Sequence, residues 1–256
     1  MSYPWLTTQI GYLDQLAALD RVPQALLICG PPGWGQQALA WDFAQKRLAL
    51  DTELPPQQVA HPDFRWVEPE TNVIKIHQVR DLSAFAQGSR QMAPYKVAVV
   101  VHAHLLMEQA ANALLKTLEE PPPGTVLVLV TEYAAALLPT VRSRCLRVQI
   151  EPRTAEARDW LPAMAGDRRS SLAFEYGDAP LAILEAHERG EEALAPALKA
   201  GLQGQAEALQ ASLLAQDAGS VLLRWARYLV AAQAGRSPLT ALNTVPQRTL
   251  VAFLDE

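Results

Sequence analysis

The stretch Leu26–Ala40, LLICGPPGWGQQALA, decides how the rest of the chain is read. Together with Ala25, its first four residues make an unbroken apolar run that ends at Gly30, the mark of a parallel strand buried on both faces. Gly30 and Gly35 frame a G-x-x-x-x-G turn with Gly33 inside it, and Leu39, Phe43 and Leu48 follow at roughly helical spacing. Strand, glycine-rich turn and helix, in that order, form the context in which backbone N–H groups cradle phosphate at a helix N-terminus. A working phosphate loop adds two side chains: a Lys for the β- and γ-phosphates, and a Ser or Thr hydroxyl for Mg²⁺. Gln36 and Gln37 stand in those places. The first has no charge to offset the phosphates, and the second is a poor substitute for a metal-bound hydroxyl.

The same chemistry has a second station, an Asp at the end of a neighbouring strand that orients the metal. The clearest other strand is VAVVV, Val97–Val101, which shows no alternation and so must be covered on both faces. It runs into His102-Ala103-His104 where the Asp should stand. Two independent stations are therefore empty, and hydrolysis by this chain alone is not expected. His102 and His104 lie two apart with no acidic or Cys companion, so they read as surface histidines and no metal site is expected.

Further apolar runs extend the pattern. DFRWV (Asp63–Val67) and TVLVLV (Thr125–Val130) read as strands, and CLRVQI (Cys145–Ile150) alternates as an edge strand does. Ile76, Val79, Leu82 and Phe85 mark one helix. Leu105–Glu120 marks another, stopped by Pro121, Pro122 and Pro123. Strands separated by helices imply an α/β fold, a parallel sheet with helices on both faces. After Pro152 the strand-like runs cease, and glycines punctuate short helices rich in Ala and Leu. One of these, around Leu222–Val230, is apolar on most sides and broken by Arg224 and Arg227; it needs a partner surface or burial in its own domain.

The chain has 256 residues, 50% of them hydrophobic, enough for two or three compact units. A net charge of −5 argues against a free-standing nucleic-acid binder. Cys29 and Cys145 lie far apart among apolar neighbours and read as reduced core thiols. Neither a signal peptide nor an apolar run long enough to span a bilayer is present, so a soluble cytoplasmic protein is expected.

NALLKTLEEPP (Asn112–Pro122) followed by LPTVRSRC (Leu138–Cys145) resembles the clamp-loader branch of the AAA+ proteins. YPWL at Tyr3–Leu6, HPDF at His61–Phe64 and IKIHQVRDL at Ile74–Leu82 fall in the order seen there, and the degenerate phosphate loop is similar to that of the branch's inactive members. The resemblance implies an AAA+ P-loop domain over 1–152, a small helical lid over 153–188 and a helical collar over 189–256 that is short or truncated. It implies an ATPase-inactive subunit of a DNA polymerase III clamp loader. Its partners would be the gamma/tau ATPase subunits and the delta subunit, with the beta sliding clamp and primed DNA reached through the assembly. In Ser143-Arg144-Cys145 the resemblance makes Arg144 a finger reaching the ATP site of the neighbouring subunit. Arg142 would be structural, and ATP would be bound by the neighbour, leaving this chain with no cofactor of its own.

Departures from the pattern accompany the matches. LALDTELPPQQVAHPDF (Leu48–Phe64) has none of the cysteines of the family's four-Cys zinc module, so that module is absent. Pro180, in YGDAPLAIL (Tyr176–Leu184), stands near the place of a nucleotide-sensing Arg in active members. Lys116 could approach a phosphate backbone, though a solvated charge is the simpler reading. Two other functions stay open at this level. One is an active P-loop ATPase or nucleotide kinase with a divergent loop, which tight Mg²⁺-ATP binding would revive. The other is a DNA-binding regulator, which salt-sensitive DNA binding would support.

Overall fold

The computed structural model describes residues 3–161, 166–202 and 218–233. The chain divides into two compact units, Met1–Arg153 and Thr154–Glu256.

The first unit is a five-stranded parallel sheet. Its strands are β1 (Ala25–Cys29), β2 (Phe64–Val67), β3 (Lys96–Val100), β4 (Thr125–Thr131) and β5 (Leu146–Gln149), in the spatial order β2-β3-β4-β1-β5. β1, β3 and β4 are buried at every residue, as their unbroken apolar sequences require, whereas β5 at the edge buries only Val148. The helices of this unit are α1 (Thr7–Ala18), α2 (Gln36–Leu48), α3 (Ile76–Gln87), α4 (Glu108–Glu119) and the single turn α5 (Pro139–Arg142). On one face Leu27, Val100 and Leu129 pack under Val79 and Leu82 of α3 and Leu114 of α4. α2 packs over β1, β3 and β4, and α1 packs on α2.

Two element boundaries differ from expectation for identifiable reasons. The helix expected from Leu105 begins at Glu108. Ile74 pairs with Leu106 as an isolated parallel bridge, its N–H donating to Leu105 and its carbonyl accepting from Met107. This pairing holds the chain extended, so only a short 3-10 turn, Ala103–Leu105, forms before it. The strand expected from Asp63 begins at Phe64 because Asp63 is used as a side chain. Its buried carboxylate accepts from the backbone N–H groups of Gln91, Met92 and Ala93, while its own N–H donates to His61 Nδ1. Burial alone would raise the Asp63 carboxyl; the three N–H donors outweigh it and hold the pKa below its ordinary value.

Lys96 opens β3 although it is charged and buried. Its Nζ donates to the carbonyls of Phe85, Gly88 and Ser89, at and beyond the end of α3, and lies 4.5 Å from the Phe85 ring centre. A cation there adds a donor to carbonyls at the helix end, of which that of Phe85 also accepts from the Gly88 N–H.

The second unit is helical throughout its described residues, with α6 (Thr154–Trp160), α7 (Gly166–Glu175), α8 (Pro180–Glu188), α9 (Leu194–Leu202) and α10 (Ala218–Gln233). Pro180 occupies the first turn of α8, where a missing N–H costs nothing. The apolar stretch of α10 buries Val221 and Tyr228 against Leu194 and Leu198, with Phe174 packed alongside. Arg224, which interrupts the pattern in sequence, is buried with it. It donates Nε and Nη2 to Glu175, and Glu175 also accepts from Tyr228 and from the first N–H groups of α9, those of Leu194 and Ala195. No helix among the described residues is long and apolar enough to cross a membrane.

Candidate functional site

All five strands are parallel, so their carboxyl ends share one edge, where open α/β sheets bind ligands. The turn Gly30–Gly35 leaves that edge after β1. Gly33 and Gly35 sit in the left-handed region at φ 77° and 90°, which a side chain would strain. Gly30 is required for a different reason. A Cβ there would lie 2.8 Å from the carbonyl oxygen of Ile150 and 2.9 Å from its Cβ, so the glycine lets the turn pass against the residue following β5.

The turn is held by its own chain. Gln36 is buried, and its Nε2 donates to the carbonyls of Gly30 at 2.6 Å and Pro31 at 2.5 Å. From outside, the Trp5 indole donates to the Trp34 carbonyl at 3.0 Å, and the two rings meet edge to face. Trp5 and Trp34 are both fully buried, which gives the YPWL segment its structural task. Gln36 therefore braces the loop with a neutral amide where a phosphate-binding chain would carry a cation.

Gln37 points the other way, with its amide nitrogen 3.1 Å from His102 Nε2. His102 follows β3 in a left-handed conformation, φ 51°, which turns the chain at the sheet edge. A correction to the sequence reading follows from this edge. His102 and His104 do have an acidic companion, Glu132, which follows β4 as His102 follows β3. Glu132 Oε2 lies 3.2 Å from His102 Nδ1 and 3.4 Å from His104 Nδ1. All three side chains are partly or largely shielded rather than standing free on the surface. The hydrogen bond to Glu132 raises the pKa of His102, and burial lowers that of His104. Burial alone would raise Glu132, but the His102 hydrogen bond and charge outweigh it and leave the carboxyl below its ordinary range. Neither histidine has an acidic neighbour in sequence. The pairing of β3 with β4 supplies one, and aligning the two strand ends would have found it.

Arg144 follows α5 on another part of the unit. Its Nη2 donates to Glu119 at the end of α4 at 2.6 Å, and its Nη1 donates to the carbonyl of Thr140 at 2.8 Å. Arg144 is about a third exposed and Glu119 half exposed. Ser143 Oγ donates to the same Thr140 carbonyl. Cys145 is a packing thiol, pushed up to about 11 by burial and bonded to the Val141 carbonyl. Arg142 beside them is exposed, with no side-chain partner among the described residues. Thus Gly30, Gly33, Gly35, Gln36 and Gln37 converge with His102 at the sheet edge, while Ser143, Arg144 and Cys145 form a separate group with Glu119.

A family model described as DNA polymerase III, delta subunit, matches residues 6–154. The DNA polymerase III subunit delta' of Pseudomonas aeruginosa is 34% identical over 206 residues, 73% of this chain and 62% of its own length. The subunit of the same description from Escherichia coli is 34% identical over 173 residues, 62% of this chain and 52% of its own length. This chain thus spans between half and two thirds of those relatives. Among solved structures, a DNA polymerase III gamma subunit-related protein from Thermotoga maritima shares the fold with a TM-score of 0.52. It is 23% identical and covers 95% of this chain and 76% of its own.

Proposed function

From the premise that the chain belongs to the DNA polymerase III delta-subunit family, we propose that it works as a non-hydrolysing subunit of a clamp loader. In that assembly it would fill the place that the delta' subunits named above fill in theirs. It would stand between a gamma/tau ATPase subunit and the delta subunit, and help load the beta sliding clamp onto primed DNA in the cytoplasm. Residues 153–188 would act as the lid and 189–256 as part of the collar.

The observation that carries this reading is the buried Gln36 amide, spent on the loop's own carbonyls. A P-loop ATPase of ordinary design needs a cation at this position and an acidic metal ligand after β3. Here the first is a neutral brace and the second is His102. The fold then serves as a scaffold for interfaces, and ATP chemistry belongs to the neighbour.

Arg144 is the contribution to that chemistry. A planar, permanently charged fork matches phosphate oxygens, and fingers of this kind are worth about 10³–10⁵ in rate in other phosphoryl-transfer systems. Its exposed pairing with Glu119 holds the guanidinium at the surface, from which it can exchange one carboxylate for a phosphate. Ser143 and Cys145 shape the turn that carries it.

The test is DNA- and clamp-stimulated ATP hydrolysis by a complex reconstituted with cognate ATPase and delta subunits, comparing wild type with Arg144→Ala. Intact assembly with a steep loss of hydrolysis supports the finger. Unchanged hydrolysis removes it, and a wild-type chain that does not assemble removes the clamp-loader reading itself.

A further inference from the structure

We propose that His102, His104 and Glu132 form a binding site for a borderline divalent cation of the Zn²⁺ class at the carboxyl edge of the sheet. Each residue offers one ligand atom, and the three atoms lie within 4.8 Å of one another. Two ligand atoms bound at about 2.0–2.1 Å in a tetrahedral zinc site stand roughly 3.3 Å apart. The Glu132 oxygen already lies 3.2 Å from one imidazole nitrogen and 3.4 Å from the other. Two imidazoles and one carboxylate suit zinc better than magnesium, and three protein ligands leave a fourth position for water.

The surroundings hold these groups in place. The two rings stand at 90° to each other, and the Tyr133 ring packs edge-on against His104 at 5.0 Å. A His102 bound through Nδ1 carries its proton on Nε2, which faces the Gln37 amide at 3.1 Å. With that amide turned to present its oxygen, Gln37 accepts a hydrogen bond from the Nε2–H and fixes the ring, the outer contact that metal-bound histidines ordinarily have. The contact between His104 Nδ1 and the Thr131 hydroxyl, at 3.0 Å, is the one that gives way when metal binds. The ion would tie the ends of β3 and β4 to the first turn of α2. This site is independent of any role in a clamp loader.

The full chain, stripped with chelator and dialysed, is titrated with ZnCl₂ by calorimetry and with Co²⁺ by absorption. One equivalent of Zn²⁺ is expected, with a rise in Tm of about 5–10 °C at a free concentration a hundredfold above Kd. Co²⁺ should show d–d bands and no thiolate charge-transfer band, which excludes Cys29 and Cys145. His102→Gln, His104→Gln and Glu132→Gln should each weaken binding by at least about 100-fold, and Gln37→Ala by about tenfold. His77→Gln should leave binding unchanged. Circular dichroism of each metal-free variant checks its fold. Should a variant misfold, imidazole ¹⁵N shifts of the wild type on adding Zn²⁺ identify the bound rings. Sub-stoichiometric binding, wild-type affinity in the His102→Gln or His104→Gln chain, a thiolate band, or shifts confined to other histidines would each overturn the site.

Discussion

The carboxylate of Glu175 meets the guanidinium of Arg224 at 2.6 Å with the two side chains 0% and 2% exposed. Removing one partner of such a buried pair costs up to about 3–5 kcal/mol, and here the Glu191 carboxylate, 3.4 Å from Arg224 Nη1, offsets part of that cost. Glu175→Gln is expected to destabilise the helical unit by that order, and to weaken the start of α9, whose Leu194 and Ala195 N–H groups use the same carboxylate. Hydrogen exchange of the α10 amides should register the loss first. A Glu175→Gln/Arg224→Met chain should be less destabilised than the sum of its single variants, since the pair is coupled.

Asp63 makes the first unit sensitive to acid. A carboxyl held below its ordinary value stabilises the folded chain above the unfolded pKa, about 3.9. That contribution disappears as pH falls through the lower folded value. Asp63→Asn should therefore flatten the fall in stability below about pH 4, and cost about 1–3 kcal/mol at neutral pH because an amide cannot accept from all three loop N–H groups. Urea unfolding across a pH series, read for both chains, checks this. An unchanged pH profile would show that the carboxylate contributes nothing.

Gly30→Ala separates packing from ligand binding. The added methyl meets Ile150 at under 3 Å, an overpacking that costs typically 1–3 kcal/mol. Chemical denaturation should show that loss, with no change in ATP retention by equilibrium dialysis. A substantial change in ATP affinity would return the loop to nucleotide binding.

Glu119→Gln tests how Arg144 is held. An exposed ion pair is worth about 0–1 kcal/mol, so the thermal midpoint should barely move. Hydrolysis by the reconstituted complex should change, because the guanidinium loses the carboxylate with which a phosphate would compete. If neither stability nor hydrolysis moves, the pairing is incidental.

Much of the sheet was legible because buried parallel strands leave no room for polar residues. ALLIC, VAVVV and TVLVLV could hardly be placed elsewhere, and the alternation of β5 marked an edge. Less legible were features in which distant segments meet. The bridge from Ile74 delays α4 against its own helical period, and β2 starts one residue late while Asp63 serves a loop almost thirty residues away. Glu132 could not be paired with two histidines until β3 lay beside β4. Arg224 looked like an interruption in an apolar helix because its partner, Glu175, lies on another helix.

The Gln36 brace also bears on when the loop acquires its form. Its hydrogen bonds are made wholly within the chain, so the turn is completed at folding rather than by a solute arriving later. On the clamp-loader reading proposed above, neighbours would change shape as they take up and release nucleotide, and a turn finished in this way would be a fixed datum. It would offer adjoining surfaces one geometry against which the moving parts could be registered.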